Sequence, residues 1–311
     1  MKLDNYSIIH QDSRQVIYKL KNFSLKNNAT IFTNTYFLGE LFSLLKKVDS
    51  KFNLTIVTNQ TDHLLDYDFY KRKPKCVKYW YSINLQHVHE NLNPIPLGLS
   101  NNYSPKNLLP EDFDRFSSEV IKKENKMYIN FNSSTNFSER ENLYKKFESQ
   151  NWVKIQNSNL SKKDYYKELS KFKFSLSPWG NGIDTHRVWE SLYVGTIPIT
   201  KYHHTFSTSQ DLPILFVDDY DQISEELLLK YLENYKLNKF NLMKLNNSYW
   251  SELINSHKSD NYNYSLHIKA SSIFSNIYTS RYKFKQLVNR YIKIFIYYLK
   301  KLKKLISLVS K

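Results

Sequence analysis

Gly180 and Gly182 are two of only five glycines in 311 residues, and they share one short segment with Asn181, Asp184, His186, Arg187 and Glu190. In that order these residue types suit the binding of an anion by a loop that runs into a helix. Glycines let a backbone approach a ligand closely. The first N–H groups of a helix, at the positive end of its dipole, favour a diphosphate. A guanidinium one turn into the helix, here that of Arg187, can add a bidentate charge-assisted contact. Glu190 stands three positions after Arg187 and six after Asp184, so at about 3.6 residues per turn Asp184, Arg187 and Glu190 or Ser191 can share a polar side lining a cleft. Trp189, Leu192 and Tyr193 are then expected on the buried face, and Gly195 is expected to end the helix in a left-handed cap. The plainer alternative makes Arg187 and Glu190 a surface ion pair and the glycines a turn. Four ligand-binding side chains converging with two glycines after a buried strand favour a binding role. His186 fits a packed histidine as well as a phosphate or acceptor contact.

A loop of this kind needs a strand behind it and a helix ahead, and the apolar pattern supplies both. Phe172–Leu176 reads as a strand, about Asp184 to Val194 as a helix and Thr196–Ile199 as the next strand, a β-loop-α-β unit. In a parallel sheet ligands bind beyond the carboxyl ends of strands, where this loop lies. Upstream, strands are expected at 29–33, 53–58, 76–81 and 94–99, with a helix at 36–45. A charged stretch around 119–126 precedes a strand at 127–131 and a helix over 138–147, capped by Ser138 with Glu141 three residues on. A helix over 162–171, a strand at 212–217 and a helix over 223–235 complete the pattern. Strands alternating with helices predict an α/β fold with parallel sheets. The expected domains are residues 1–125, 126–280 and a basic tail, 281–311.

The net charge of +16 resembles a nucleic-acid signature until it is located. Residues 281–311 hold eight Lys, two Arg and no acid, which leaves +6 on the remainder. That remainder suits a small anionic ligand such as a nucleotide diphosphate. In the tail, Leu287, Tyr291, Ile294, Phe295, Tyr298, Leu302, Leu305 and Val309 recur at helical spacing, with Arg290, Lys293, Lys300, Lys301 and Lys304 elsewhere on the wheel. Such a cationic amphipathic helix can lie on an anionic membrane surface, or pack on the body or in a dimer. A single cysteine, Cys76, excludes an intrachain disulfide and a multi-thiolate zinc site. The N-terminus lacks a signal-peptide core and no window is long and apolar enough to span a membrane, so a cytoplasmic location, with peripheral membrane contact through the tail, is expected. No recognition motif supports binding to nucleic acid.

The run from Phe174 to Leu192, followed by Gly195-Thr196-Ile197-Pro198-Ile199, resembles the nucleotide-sugar-binding segment of exostosin-like glycosyltransferases. The likeness extends more loosely to Trp80–Asn84, Pro94–Gly98 and Asp211–Leu215. It implies a GT-B architecture, two Rossmann-like domains facing a cleft, with the donor held by the C-terminal one and no catalytic metal or other cofactor. It also implies transfer of a sugar from a nucleotide-sugar donor to a glycan or lipid-linked acceptor, with inversion. Arg187 would meet the donor diphosphate, Glu190 the ribose hydroxyls, and Gly180, Asn181 and Gly182 the phosphates and sugar. Acceptor activation needs a carboxylate or imidazole near the attacking hydroxyl. Asp184, in holding the transferred sugar, and His186 are the candidates for direct roles. Glu40, Asp62 and His63 follow first-domain strands and could face the cleft, or serve as surface or capping residues. Two alternatives stand beside this reading. Asp219 and Asp221 have the D-x-D form with which GT-A transferases hold a metal, although an N-terminal cap for the following helix explains them better. A non-catalytic protein that binds sugar or nucleic acid is the other.

Overall fold

The computed structural model describes residues 6–11, 16–20, 23–59, 61–101, 107–116, 122–235, 237–258 and 265–268, with the isolated positions 288 and 291. The tail reading therefore lies outside the described residues, apart from those two. The chain divides into a small unit, 1–25 with 266–311, and a large one, 26–265. In the small unit β1 (Tyr6–Gln11) pairs antiparallel with β2 (Val16–Leu20). Neither strand was expected from the sequence.

The large unit is α/β with two wholly parallel sheets. After β3 (Phe23–Lys26), strands β4 (Thr30–Asn34), β5 (Leu54–Asn59), β6 (Val77–Ser82) and β7 (Leu92–Pro94) lie side by side in chain order. Helices α1 (Leu38–Leu45) and α2 (Tyr67–Tyr70) lie in their connections, and α3 (Pro110–Phe116) follows. The second sheet holds β8 (Glu124–Ile129), β9 (Val153–Ile155), β10 (Phe172–Leu176), β11 (Ile197–Lys201) and β12 (Leu215–Val217). Its helices are α4 (Phe137–Phe147), α5 (Lys162–Ser170), α6 (His186–Tyr193) and α7 (Glu225–Tyr235), with α8 (Asn247–Asn255) last. Strand β13 (Ser265–Ile268) pairs with β3, and apart from Ser265 and Lys26 both belong to the small unit.

The two sheets differ where ligand binding is concerned. The first runs monotonically, whereas the second has the order β12-β11-β10-β8-β9. From β8 the chain adds β9 on one side and then returns to add β10 on the other. The crevice beyond the carboxyl ends of β8 and β10 is thus a topological switch point, where open α/β sheets hold ligands. Met127, Ile129, Phe131, Phe174, Leu176, Ile197 and Ile199 form the core under it with Leu143 and Phe147 of α4. The alternate residues Phe174 and Leu176 are fully buried, which fixes the register and hence where the loop after β10 emerges.

Three local expectations change. The apolar run 94–99 is not a strand: β7 ends at Pro94 and the backbone then leaves the sheet through Gly98, at φ 70°. Helix α4 is preceded by Asn136, with no side-chain cap, and Ser138 Oγ bonds the Asn136 side chain instead. Asp219 caps a short 3-10 turn, with Gln222 completing a capping box, and Asp221 pairs with Lys146. Among the described residues no cluster of three or more His, Cys, Asp or Glu could hold a metal, and no helix is long and apolar enough to cross a membrane.

Candidate anion site at the strand-order switch

Arg140, in the first turns of α4, spans the switch point. Its Nη1 donates to Asn132 O at 3.0 Å, beyond β8, while Nη2 and Nε donate to Pro178 O at 2.9 Å and Trp179 O at 2.8 Å, beyond β10. The guanidinium lies over the Phe131 ring, 5.4 Å from its centroid. It is 6% exposed. Burial first, then the neighbouring charge of Arg187, pushes its pKa down to about 10. The residue pattern does not single Arg140 out, because a helix beginning Ser138-Glu139-Arg140-Glu141 reads as a solvated face. Its signal is positional: like Arg187, it lies just inside the helix that follows a strand of this sheet.

Arg187 is half-buried in the first turn of α6. Its guanidinium sits 5.4 Å from the centroid of the Tyr165 ring, and Nη1 donates to the Tyr165 hydroxyl at 3.2 Å. That hydroxyl donates onward to Glu190 Oε2 at 3.0 Å, and Glu190 Oε1 accepts the backbone N–H of Leu108 at 3.1 Å. Burial holds the Tyr165 phenol well above its usual pKa, so it stays protonated and can serve both neighbours. Tyr165, on α5, is the second residue the sequence did not reveal. The ion pair between Arg187 and Glu190 that the plainer alternative required does not form. Among the described residues neither Arg140 nor Arg187 makes an ion pair with any carboxylate.

The expected polar face lining a cleft is also corrected. Helix α6 begins at His186, Asp184 precedes it, and Asp184, Glu190 and Ser191 are 3%, 4% and 0% exposed. Tyr193, placed on the buried face, is 42% exposed, whereas Trp189 and Leu192 are buried as expected. Gly195 does end α6 at φ 69°.

Asp184 is turned towards the first sheet. Its Oδ2 accepts the N–H of Leu97 at 2.7 Å and its Oδ1 accepts Trp189 Nε1 at 2.8 Å, while its own N–H donates to Asn84 Oδ1 at 2.9 Å. Burial raises its carboxyl to about 7, opposed by the N–H groups of Leu97, Trp189 and Thr185. His186 Nδ1 lies 2.8 Å from Gly98 O. A carbonyl only accepts, so Nδ1 carries the proton, and in the neutral ring Nε2 keeps its lone pair. The residues released from β7 thus supply Leu97 N–H to Asp184 and Gly98 O to His186. Thr205 Oγ1 to Leu85 O and Thr208 Oγ1 to Pro94 O, at 3.1 and 3.0 Å, reinforce this seam between the sheets.

The glycines serve close approach, though of protein rather than ligand. A Cβ on Gly182 would lie 2.7 Å from Asn84 Nδ2, and one on Gly180 would lie 3.2 Å from Arg140 Nη2. Gly180 O accepts Asn136 Nδ2 at 2.8 Å, and the exposed Asn181 sits between them. Glu40, Asp62 and His63 are exposed, with His63 set edge-on to Tyr36.

No family model and no curated protein matches the sequence. Among solved structures, the chain is similar to the GtfA/B complex at 11% identity and a TM-score of 0.34, over 82% of this chain and 62% of that one, so it spans less than two thirds of that chain's length. It is also similar to an alpha-glucosyltransferase solved with UDP-glucose and DNA containing an abasic site, at 10% identity and a TM-score of 0.29, over 73% of this chain and 74% of that one.

Proposed function

We propose that the chain is a glycosyltransferase of GT-B type, exostosin-like in its donor segment, that moves a sugar from a nucleotide-sugar donor to a hydroxyl of a glycan or lipid-linked acceptor without a metal ion. The observation that carries this reading is the pair Arg140 and Arg187, two guanidinium groups at the strand-order switch that, among the described residues, form no ion pair with a carboxylate. Two fixed positive charges beside a loop and a helix N-terminus match a diphosphate, and they meet the negative charge that develops on the leaving phosphate oxygen.

In the step envisaged, the acceptor oxygen bonds to the anomeric carbon with inversion, the bond from that carbon to the diphosphate breaks, and the acceptor proton leaves to His186 Nε2. Gly180, Asn181 and Gly182 border the phosphates and sugar. Glu190, buried and held by Leu108, orients the Tyr165 hydroxyl beneath Arg187 rather than meeting the ribose itself. Asp184 acts by fixing the loop against Leu97 rather than by touching substrate. The basic tail places the enzyme on an anionic membrane surface; flotation of the full chain with anionic vesicles, lost in a 1–280 truncation, is the expected result.

Thermal shift with nucleoside diphosphates in EDTA tests the donor site. One nucleotide should stabilise the protein, and Arg187→Ala should abolish that shift. No response to any nucleotide overturns the proposal. His186→Gln should keep the shift and lose at least ~100-fold in transfer rate, the scale of general base catalysis.

A further inference from the structure

The chain leaving β11 carries two adjacent histidines, His203 and His204, and the surroundings of each suit only the neutral imidazole. His203 precedes the 3-10 turn His204–Ser209 and caps it: its Nδ1 accepts the backbone N–H of Thr205 at 3.1 Å. A ring nitrogen that accepts carries no proton, so an imidazolium at His203 loses this bond and sets one N–H against another. His204 meets a complementary obstacle. Its Nε2 is buried with no hydrogen-bond partner, and the imidazolium, in which both nitrogens donate, would bury an N–H without an acceptor. Burial and then the charge of His204 hold His203 below its usual pKa, and burial and then the charge of His87 do the same for His204.

This turn is where the second sheet holds the first. Thr205 and Thr208 donate from it to Leu85 O and Pro94 O, on either side of the β6–β7 connection's return into the sheet. From that connection comes His87, whose ring lies 4.9 Å from Tyr70 and 6.5 Å from His89. Glu90 acts there on the Tyr70 phenol. From the loop after β10, Trp179 stands edge-on to His203 at 5.7 Å, with Lys201 Nζ 4.7 Å from the same indole. At the far end of the turn Lys244 Nζ donates to Thr208 O at 2.8 Å and pairs with Asp211 at 2.6 Å. Among the described residues no carboxylate compensates a charge on His203 or His204.

We propose that His203 and His204 form a pH-sensitive latch: neutral, they keep the turn His204–Ser209 closed on the β6–β7 connection, and their protonation in mild acid releases it. An opened turn lets both rings take up the proton that the closed turn refuses. Closure therefore keeps its full strength above about pH 6.5, where a free histidine titrates, and weakens as pH falls below that value. The carboxyl of Asp184, on the same seam, works with the opposite sign, which calls for a readout confined to the turn. The latch does not depend on the glycosyltransferase reading, since it rests on the seam alone.

Hydrogen exchange of the Thr205 amide in the full chain, corrected for the intrinsic pH dependence of exchange, tests it. Protection should fall by about tenfold or more from roughly pH 7.5 to pH 5, about tenfold for each unit between the open and closed titrations of one ring, while the amides of β10 keep theirs. His203→Asn with His204→Leu should abolish this pH dependence and leave the turn closed: asparagine accepts the N–H two residues on at Asn34 and Asn246 of this chain, and leucine has no proton to gain. In the unaltered protein the NMR ring signals of both histidines should titrate below a free histidine. Thr205 protection unchanged down to about pH 5, a loss that persists in the double variant, a parallel loss throughout β10, or either ring titrating at the free value overturns the proposal.

Discussion

The backbone N–H of Leu97 donates to Asp184 Oδ2 at 2.7 Å, joining a segment released by the first sheet to the loop that emerges from the second. The other carboxylate oxygen is held by Trp189 Nε1 at 2.8 Å. Two donors thus face two acceptors in a buried place. Asparagine would set an amide NH₂ against one of those donors, so Asp184→Asn should cost ~1–3 kcal/mol, the penalty of a buried unsatisfied donor. Urea unfolding measures it, and a loss below about 0.5 kcal/mol, less than a typical net hydrogen bond, would mean that the seam does not depend on this carboxylate.

The same group gives a pH dependence whose sign is set by its raised pKa. Asp184 titrates at about 7 in the folded chain and near ~3.9 when unfolded, so between those values the folded state holds the extra proton. Stability falls with pH wherever the folded state binds more protons. The contribution from this group is therefore fully present below its unfolded pKa, is lost as pH rises through about 7, and is flat above. Asp184→Asn removes it. The stability gap between the unaltered protein and this variant should narrow from roughly pH 5 to pH 8; a gap that stays constant over that range would show the carboxylate to be ionised throughout.

Tyr165 is a positioning residue for the arginine site. Phenylalanine would keep the ring beneath Arg187 and delete the hydroxyl that joins Arg187 Nη1 to Glu190 Oε2. Tyr165→Phe should destabilise by ~1–2 kcal/mol, since Glu190 Oε2 loses its donor. If the hydroxyl orients the guanidinium, nucleotide affinity should fall ~3–10-fold as well. Affinity unchanged despite the lost stability would make Tyr165 structural only.

Much of the Arg187 side of this arrangement could be read from the sequence, because the β10-loop-α6-β11 unit is governed by local rules. Phe174 and Leu176 alternate into the core, and Gly195 at φ 69° ends the helix. Arg187 followed from its place in that unit. Arg140 did not: three backbone carbonyls from two separate loops hold it, and no spacing in the helix encodes them. The run 94–99 misled for a related reason. Its apolar side chains suit a strand, but Leu97 N–H and Gly98 O bond Asp184 and His186 instead of a neighbouring strand. The three-residue strand β9 is too short to carry a periodic pattern.

Gly182 and Asn84 meet at the seam in a way that a double-mutant cycle can resolve. Gly182 is not in the left-handed region, so its need for glycine is steric: a Cβ would stand 2.7 Å from Asn84 Nδ2. Asn84 cannot easily retreat, since its Nδ2 donates to Thr61 O at 3.1 Å and its Oδ1 accepts the N–H of Asp184 at 2.9 Å. Gly182→Ala should therefore cost ~1–3 kcal/mol by overpacking. Asn84 sits at φ 51°, where glycine is at ease, so Asn84→Gly relieves the clash at the expense of those two hydrogen bonds. In the double variant the added methyl has room, and its cost should fall short of the sum of the two single costs by ~1 kcal/mol or more, as expected for residues in contact. Simple additivity would place the strain elsewhere than between these two side chains.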